Sequence, residues 1–191
     1  MLNRIHDIVP LSASSEQNQN SEPSVAVNPL NPYRTVAGAF LIGDDTTDLN
    51  PYYVSLNGGL TWTAYGALVH SDKTIAWKAD GTAVLTAALT TGPENTVNVY
   101  SGVVGDSNFN SPGNPISRYT NNKIDQPWIE AGPSNHVYIT YNVPEPDTAV
   151  NKGANVLVST DGGKNFVNVP LDRGNVPPLV PSDLPAVRPD C

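Results

Sequence analysis

The stretch PSVAVNPLNPYRTVAGAF at residues 23–40 contains two short apolar runs joined by a turn rich in Pro and Asn. Apolar and polar residues alternate along these runs, which is typical of β-strands. Two further stretches have the same plan, KTIAWKADGTAVLTAAL at 73–89 and QPWIEAGPSNHVYITYN at 126–142. We therefore expect an all-β chain built from a repeated unit. The matching places in the three stretches are held by Val25, Ile75 and Ile129.

A second motif recurs behind these stretches. Residues 55–62 read SLNGGLTW and residues 159–166 read STDGGKNF, which lie 104 residues apart, or about two repeats. The middle repeat has VYSGVVGD at 99–106, where Ser101 and Gly105 are expected remnants of a degenerate copy. A period of about 50 residues with about four short strands is typical of one blade of a β-propeller.

The two motifs resemble the Asp-box, Ser-x-Asp-x-Gly-x-Thr-Trp, also called the BNR repeat, of sialidase-like β-propellers. That box is a hairpin between the third and fourth strands of a blade, where the Asp or Asn side chain binds turn amides and Gly supplies a positive φ. The copies depart from the pattern at Asn57, Asn165 and Phe166. The resemblance implies a structural role, with cation binding as the alternative, for Ser55, Asn57, Gly59, Trp62, Ser159, Asp161, Gly163 and Phe166.

The repeats predict the organisation of the chain. Closed propellers typically have four to eight blades, whereas about three are expected here. We therefore expect an incomplete propeller whose remaining blades come from a longer chain or from homo-oligomerisation. The predicted units are a polar leader at 1–22, blades at 23–69, 70–122 and 123–170, and a Pro-rich tail or the start of a further blade at 171–191.

The composition narrows the possible partners. The 191 residues carry 10 basic and 18 acidic side chains, for a net charge of −8. Such a chain lacks the basic surface that binds nucleic acid or anionic membranes. No apolar run of about 18 residues is present, so no membrane span is expected. The single cysteine, Cys191, supports no disulfide framework or zinc site. We expect a soluble, extracellular or cell-surface protein, although no signal peptide is evident.

The resemblance to sialidases raises the question of catalysis. Those enzymes hold the substrate carboxylate with three arginines, because the planar guanidinium matches that group. The first arginine normally stands in an Arg-Ile-Pro motif on the first propeller strand. The corresponding residues 22–29, EPSVAVNP, contain no arginine, and Arg34 follows only later. No pair of arginines occupies recognisable triad positions, so we expect no catalytic residues of the sialidase type.

Other glycosidases use two carboxylates about 5–10 Å apart. The candidates at predicted inner-strand positions are Glu22, Asp72, Asp125 and Glu130. The stretch DQPWIE is similar to the Asp-x-Pro-Trp start of blades in many sialidase-like propellers. In the alternative interpretation, Asp125 caps a turn and the following Trp packs between blades. The predicted carbohydrate-binding patch consists of Asp125, Trp128, Glu130 and Trp77.

An acidic segment, GDDTTD at residues 43–48, is the candidate metal site. Oxygen ligands grouped in one loop suit calcium, the only cofactor that the sequence suggests. The alternative is a solvated acidic loop, since the Gly and Glu of the twelve-residue calcium loop are absent. The candidate ligands are Asp44, Asp45 and Asp48.

These observations leave three functional hypotheses. The first is a non-catalytic, extracellular propeller module that binds a partner or acts as a scaffold. The second is a lectin whose aromatic and acidic residues hold glycans. The third is a fragment of a sialidase-type glycoside hydrolase that lacks the full active site.

Overall fold

The computed structural model describes residues 20–41, 50–68, 72–90, 94–105, 109–110, 115–120, 124–143 and 153–171. Every regular element in these ranges is a β-strand, and each strand pairs with its neighbours in the antiparallel sense. The all-β prediction is therefore confirmed. The same ranges contain no helix long and apolar enough to cross a membrane.

The strands form three antiparallel sheets in which each strand after the first, apart from β9, pairs with the one before it along the chain. Sheet 1 consists of β1 (Asn20–Val27), β2 (Thr35–Leu41), β3 (Asn50–Ser55) and β4 (Thr63–Leu68). Sheet 2 consists of β5 (Lys73–Trp77), β6 (Val84–Thr90) and β7 (Thr96–Val104), and two short strands, β8 (Phe109–Asn110) and β9 (Ser117–Thr120), both pair with β7. Sheet 3 consists of β10 (Asp125–Ala131), β11 (Val137–Val143), β12 (Gly153–Ser159) and β13 (Val167–Pro170).

Sheet 2 lies between the other two sheets, and each of its faces contributes to a hydrophobic core. The first core joins sheets 1 and 2 and includes Val36, Tyr52 and Trp77. The second core joins sheets 2 and 3 and includes Leu85 and Ile139. Because both faces of sheet 2 are covered, all five residues of β5 are buried. This explains why β6 has the nearly continuous apolar sequence of a strand buried on both sides.

Hydroxyl groups join the first strands of neighbouring sheets. The Ser24 hydroxyl on β1 accepts a hydrogen bond from the Ile75 N–H on β5, at 3.2 Å. At the matching place one sheet later, the Thr74 hydroxyl accepts from the Ile129 N–H at 3.0 Å and donates to the Pro127 carbonyl at 2.9 Å. The repeat seen in the sequence is therefore also a repeat of the contact between sheets.

The strand register corrects one detail of the predicted repeat. Ser55, the first residue of the SLNGGLTW motif, lies across from Thr35, the first residue of β2. The first residue of β6 is Val84, and it lies across from Gly102 rather than Ser101. Ser101 is one residue earlier and therefore points to the opposite face of the sheet. Since Gly102 has no hydroxyl, sheet 2 lacks the side chain that begins the motif in the other two sheets.

We predict that Thr74→Val destabilises the packing of sheet 2 against sheet 3, because it leaves the buried Ile129 N–H and Pro127 carbonyl without the partner that Thr74 supplies. The expected loss is about 1–3 kcal/mol in the free energy of unfolding, measured by urea denaturation. Thr63→Val is the matched control, since Thr63 is exposed on β4. An equal effect of the two substitutions would contradict the proposed role of the hydroxyl bridge.

Candidate functional site

Two carboxylates from neighbouring sheets meet at the beginnings of β5 and β10. Asp72 directly precedes β5, and Asp125 is the first residue of β10. Burial is the main cause that raises the pKa of the Asp72 carboxyl above its usual value, and the negative charge of Asp125 raises it further. The Gln126 N–H donates to the Asp72 carboxylate and acts in the opposite direction. The pair thus lies close enough to interact across the junction of two sheets.

Gln126 and Asn142 complete this site, and the sequence interpretation missed both. Gln126 has a φ of +46°, in the left-handed region that non-glycine residues rarely occupy, and it precedes a proline. Its side-chain oxygen accepts a hydrogen bond from the Asn142 amide at 3.0 Å. The register of β10 on β11 also shifts between Asp125 and Trp128. Left-handed backbone of this kind costs about 1–3 kcal/mol and is frequent at binding sites.

A buried cation, Lys73, lies at the beginning of β5. Lys73, the first residue of β5, is 1% exposed and points toward sheet 1. Its ammonium nitrogen is 4.2 Å from the ring centre of Tyr52, a cation–π contact. Gly38 makes room for it, since a Cβ there would lie 3.1 Å from Lys73 Cε. The lysine therefore belongs to the junction between sheets 1 and 2.

Trp128 and Glu130 lie on the face of sheet 3 that points away from sheet 2. Ile129 between them packs into the second core, and alternate strand residues point to opposite faces. Burial raises the pKa of Glu130. Five positions along β10 separate Asp125 from Glu130, and the register of the strand shifts between Asp125 and Trp128. The carboxylate that interacts with Asp125 is Asp72, from the neighbouring sheet.

Trp77 has to be removed from the predicted carbohydrate-binding residues. Its side chain is only 6% exposed and belongs to the core between sheets 1 and 2. The indole N–H donates to the Ala26 carbonyl at 3.1 Å. Both faces of the ring therefore pack against protein, so they are not available to a sugar ring.

The hairpins that follow β3 and β12 have the same hydrogen-bond pattern. The Ser55 hydroxyl accepts from the Gly59 N–H at 2.8 Å and donates to Asn57 Oδ1 at 3.0 Å. In sheet 3, the Ser159 hydroxyl accepts from the Gly163 N–H at 2.9 Å and donates to Asp161 Oδ1 at 2.8 Å. The shared pattern reflects the shared sequence motif.

Further contacts tie each hairpin to its own sheet. In each hairpin, the N–H of the glycine after the Asn or Asp donates to the turn between the first and second strands of the same sheet. Gly58 donates to the Tyr33 carbonyl and Gly162 to the Asn135 carbonyl, both at 2.9 Å. The Trp62 indole donates to a hairpin carbonyl at 3.0 Å, while Phe166 packs against the second core. These contacts fix the ends of the third and fourth strands.

The predicted calcium ligands Asp44, Asp45 and Asp48 lie outside the described residues. Within the part of the chain that the structure describes, no group of three or more His, Cys, Asp or Glu side chains is placed to hold a metal ion. Calcium binding by the acidic segment thus stays a prediction.

Comparison with known proteins gives a likeness of fold alone. No family model and no curated protein matches the sequence. Among solved structures, the chain is similar to an exo-β-1,3-galactanase from Phanerochaete chrysosporium in complex with galactose, with a TM-score of 0.56 and 11% identity over 81% of this chain and 36% of that one. A GH43 β-1,3-galactosidase gives a TM-score of 0.53 and 15% identity over 80% and 32% of the two chains. The α-L-arabinanase of Penicillium chrysogenum with arabinobiose gives 0.52 and 12% over 77% and 48%.

These neighbours define the class of fold. They are five-bladed GH43 propellers, and the three sheets correspond to blades of such a propeller. The propeller prediction is therefore confirmed at the level of the fold, whereas the similarity is not specifically to sialidases. The chain spans about a third to a half of the length of these neighbours.

We predict that acid weakens only one of the two hairpins. The Asn165 side chain and further donors hold the pKa of Asp161 well below its usual range, so its carboxylate stabilises the hairpin at neutral pH. That contribution is lost as the pH falls through the lowered pKa, because protonation weakens the bonds from the Lys164 and Asn165 N–H groups.

Asn57, which does not titrate, provides the internal control. Amide chemical shifts followed between about pH 5 and pH 1 should change at Lys164 and Asn165 but not at Thr61, which donates to Asn57. Asp161→Asn should abolish the change. Equal titration of both hairpins would contradict the assignment.

Proposed function

We propose that this chain is a glycan-binding propeller module that contacts neutral sugars with Asp72 and Asp125. The observation that carries the proposal is the convergence of these carboxylates from neighbouring sheets beside the side-chain amides of Gln126 and Asn142. Carboxylates and amides are the groups that accept and donate hydrogen bonds to sugar hydroxyls. The strained backbone at Gln126 supports a functional role.

The charge of the site favours uncharged sugars. Two half-buried carboxylates in one site repel anionic groups. The structural neighbours are in keeping with this choice, since they include complexes with β-1,3-galactotriose, galactose and arabinobiose. Trp128, which is partly buried at the outer face of sheet 3, is the aromatic side chain that we assign to sugar stacking, with Glu130 beside it.

The positions of two arginines support a role in binding without sialidase chemistry. Arg34 directly precedes β2, in the turn after β1, and donates to the Val104 carbonyl at 3.4 Å. Arg118 lies on β9, three strands from β5, or about 14 Å at 4.7–4.9 Å per strand. Neither arginine is among the groups that shift the pKa of Asp72.

Glycoside hydrolysis is the second candidate function. The raised pKa of Asp72 favours it, since a carboxyl that holds its proton to higher pH can act as a general acid. In this case the chain supplies two carboxylates of an active site whose other residues lie on the remaining blades.

The proposal extends to the completion of the propeller and to location. Val25 is 64% exposed on sheet 1 and Val167 is 68% exposed on sheet 3, as expected for faces that pack against further blades. A longer chain or a second copy would supply those blades. The acidic composition and the proposed glycan ligand favour an extracellular or cell-surface location.

We predict that Asp72→Asn and Asp125→Asn each weaken binding of β-1,3-galactotriose or arabinobiose by roughly tenfold or more, the effect of one charge-assisted hydrogen bond. Isothermal titration calorimetry measures the change. Asp161→Asn is the control, because it removes one negative charge at an exposed carboxylate and introduces the residue found at the matching Asn57.

Unchanged affinity in both variants would contradict the proposed site. Release of reducing sugar by the unmodified chain, lost in Asp72→Asn, would instead establish the second candidate function.

A further inference from the structure

Asp72 and Asp125 stand at the beginnings of β5 and β10. At the other end of these strands, the turns that follow the first strand of each sheet meet. Between sheets 1 and 2 this junction is closed by Asn28, the residue directly after β1, which is 3% exposed. Its side-chain amide donates to the Gly81 carbonyl of the next turn at 3.0 Å. The fit is tight, since a Cβ on Gly81 would lie 2.7 Å from Asn28 Oδ1.

The matching junction between sheets 2 and 3 is open. Lys78, directly after β5, stands where Asn28 stands in sheet 1. Among the residues that the structure describes, none accepts a hydrogen bond from the Lys78 ammonium. A cavity of about 230 Å³ lies between the two turns instead, lined by Lys78, Asp80, Ser134, Asn135 and His136, among others.

The cavity brings a cation together with hydrogen-bonding groups. An ideal Cβ on Gly162 would lie 3.5 Å from the Lys78 ammonium and 3.8 Å from the Asn135 side-chain oxygen, so both groups converge above this glycine. His136 Nδ1 is 3.0 Å from the Pro133 carbonyl. Because that carbonyl can only accept, Nδ1 is assigned a proton, and Nε2 is the ring nitrogen left to contact a ligand.

Asp80 supplies the acceptor for hydroxyl groups at the rim. Bonds from the Thr82 hydroxyl and N–H are the main causes that lower the pKa of Asp80, and the nearby charge of Lys78 lowers it further. The cavity therefore offers an ammonium at one place and a carboxylate at another. A ligand with both an anionic group and hydroxyl groups matches this arrangement.

We propose that this cavity is a second binding site, for one acidic sugar unit of the hexuronate class. The Lys78 ammonium would bind the sugar carboxylate, while Asp80, Asn135 and His136 would bind hydroxyl groups. The volume lies below the roughly 300–1,000 Å³ of pockets for drug-sized ligands and suits a single ring. The site is independent of the carboxylate pair, from which the length of β5 separates it by about 17 Å.

The test is a calorimetric or NMR titration of the whole chain with methyl glucuronide, methyl glucoside and acetate. We expect methyl glucuronide to bind roughly tenfold more tightly than either of the others, the effect of one charge-assisted hydrogen bond. Lys78→Met should abolish this preference. Lys164→Met, at an exposed lysine of the neighbouring hairpin, should preserve it.

Lys78→Asn is a second variant, which introduces the residue type that Asn28 has at the junction between sheets 1 and 2. This variant should also lose the preference for methyl glucuronide. Equal binding of methyl glucoside would overturn the role of the anion, and equal binding of acetate would overturn the role of the sugar. Unchanged glucuronide affinity in a folded Lys78 variant, or no binding by the unmodified chain, would overturn the site.

Discussion

The structure depends on the contact between the first strands of neighbouring sheets. Ser24 and Thr74 each present a hydroxyl to the backbone of the next sheet, while the alanines two residues further on are small and buried. These bridges hold β1, β5 and β10 side by side, with a hydrophobic core on each side of sheet 2. The two proposed sites lie at opposite ends of β5 and β10, so both follow from this one arrangement.

The bridge is not repeated on the outer face of sheet 3. Where sheets 1 and 2 present Ser24 and Thr74, the register places Trp128, which has no hydroxyl. Glu130 replaces the small alanine that follows in the other sheets. A further blade would therefore have to pack against sheet 3 by other contacts. The same two residues are those that the sequence assigns to carbohydrate, and a change of residue type at one repeat position is consistent with that proposal.

The sequence predicts the features that arise from local patterns. Alternating apolar residues predict the strands, and the SLNGGLTW and STDGGKNF motifs predict hairpins that the hydrogen bonds of Ser55 and Ser159 then explain. Features that require contacts between sheets could not be predicted in this way. The burial of Trp77 depends on the position of sheet 1, and the partner of Asp125 comes from a segment more than 50 residues earlier.

Some signals were present in the sequence but could be interpreted only with the register. Gln126 precedes a proline, where extended backbone is usual, and only the structure shows its left-handed φ. Gly102 takes the place expected for Ser101 because strand pairing, rather than motif similarity, decides which residues match. The difference between Asn28 and Lys78 likewise acquires meaning only when the two junctions are compared.

The claim on which the proposed function rests is that Asp72 and Asp125 converge. A carbon-detected NMR titration of the Asp72 carboxyl tests it most directly. We expect the pKa of Asp72 to lie above its usual value in the unmodified chain and to fall in Asp125→Asn, because a neighbouring negative charge is removed. It stays above the usual value in the variant, since burial is the larger cause. An ordinary Asp72 pKa that does not respond to Asp125→Asn would contradict the account.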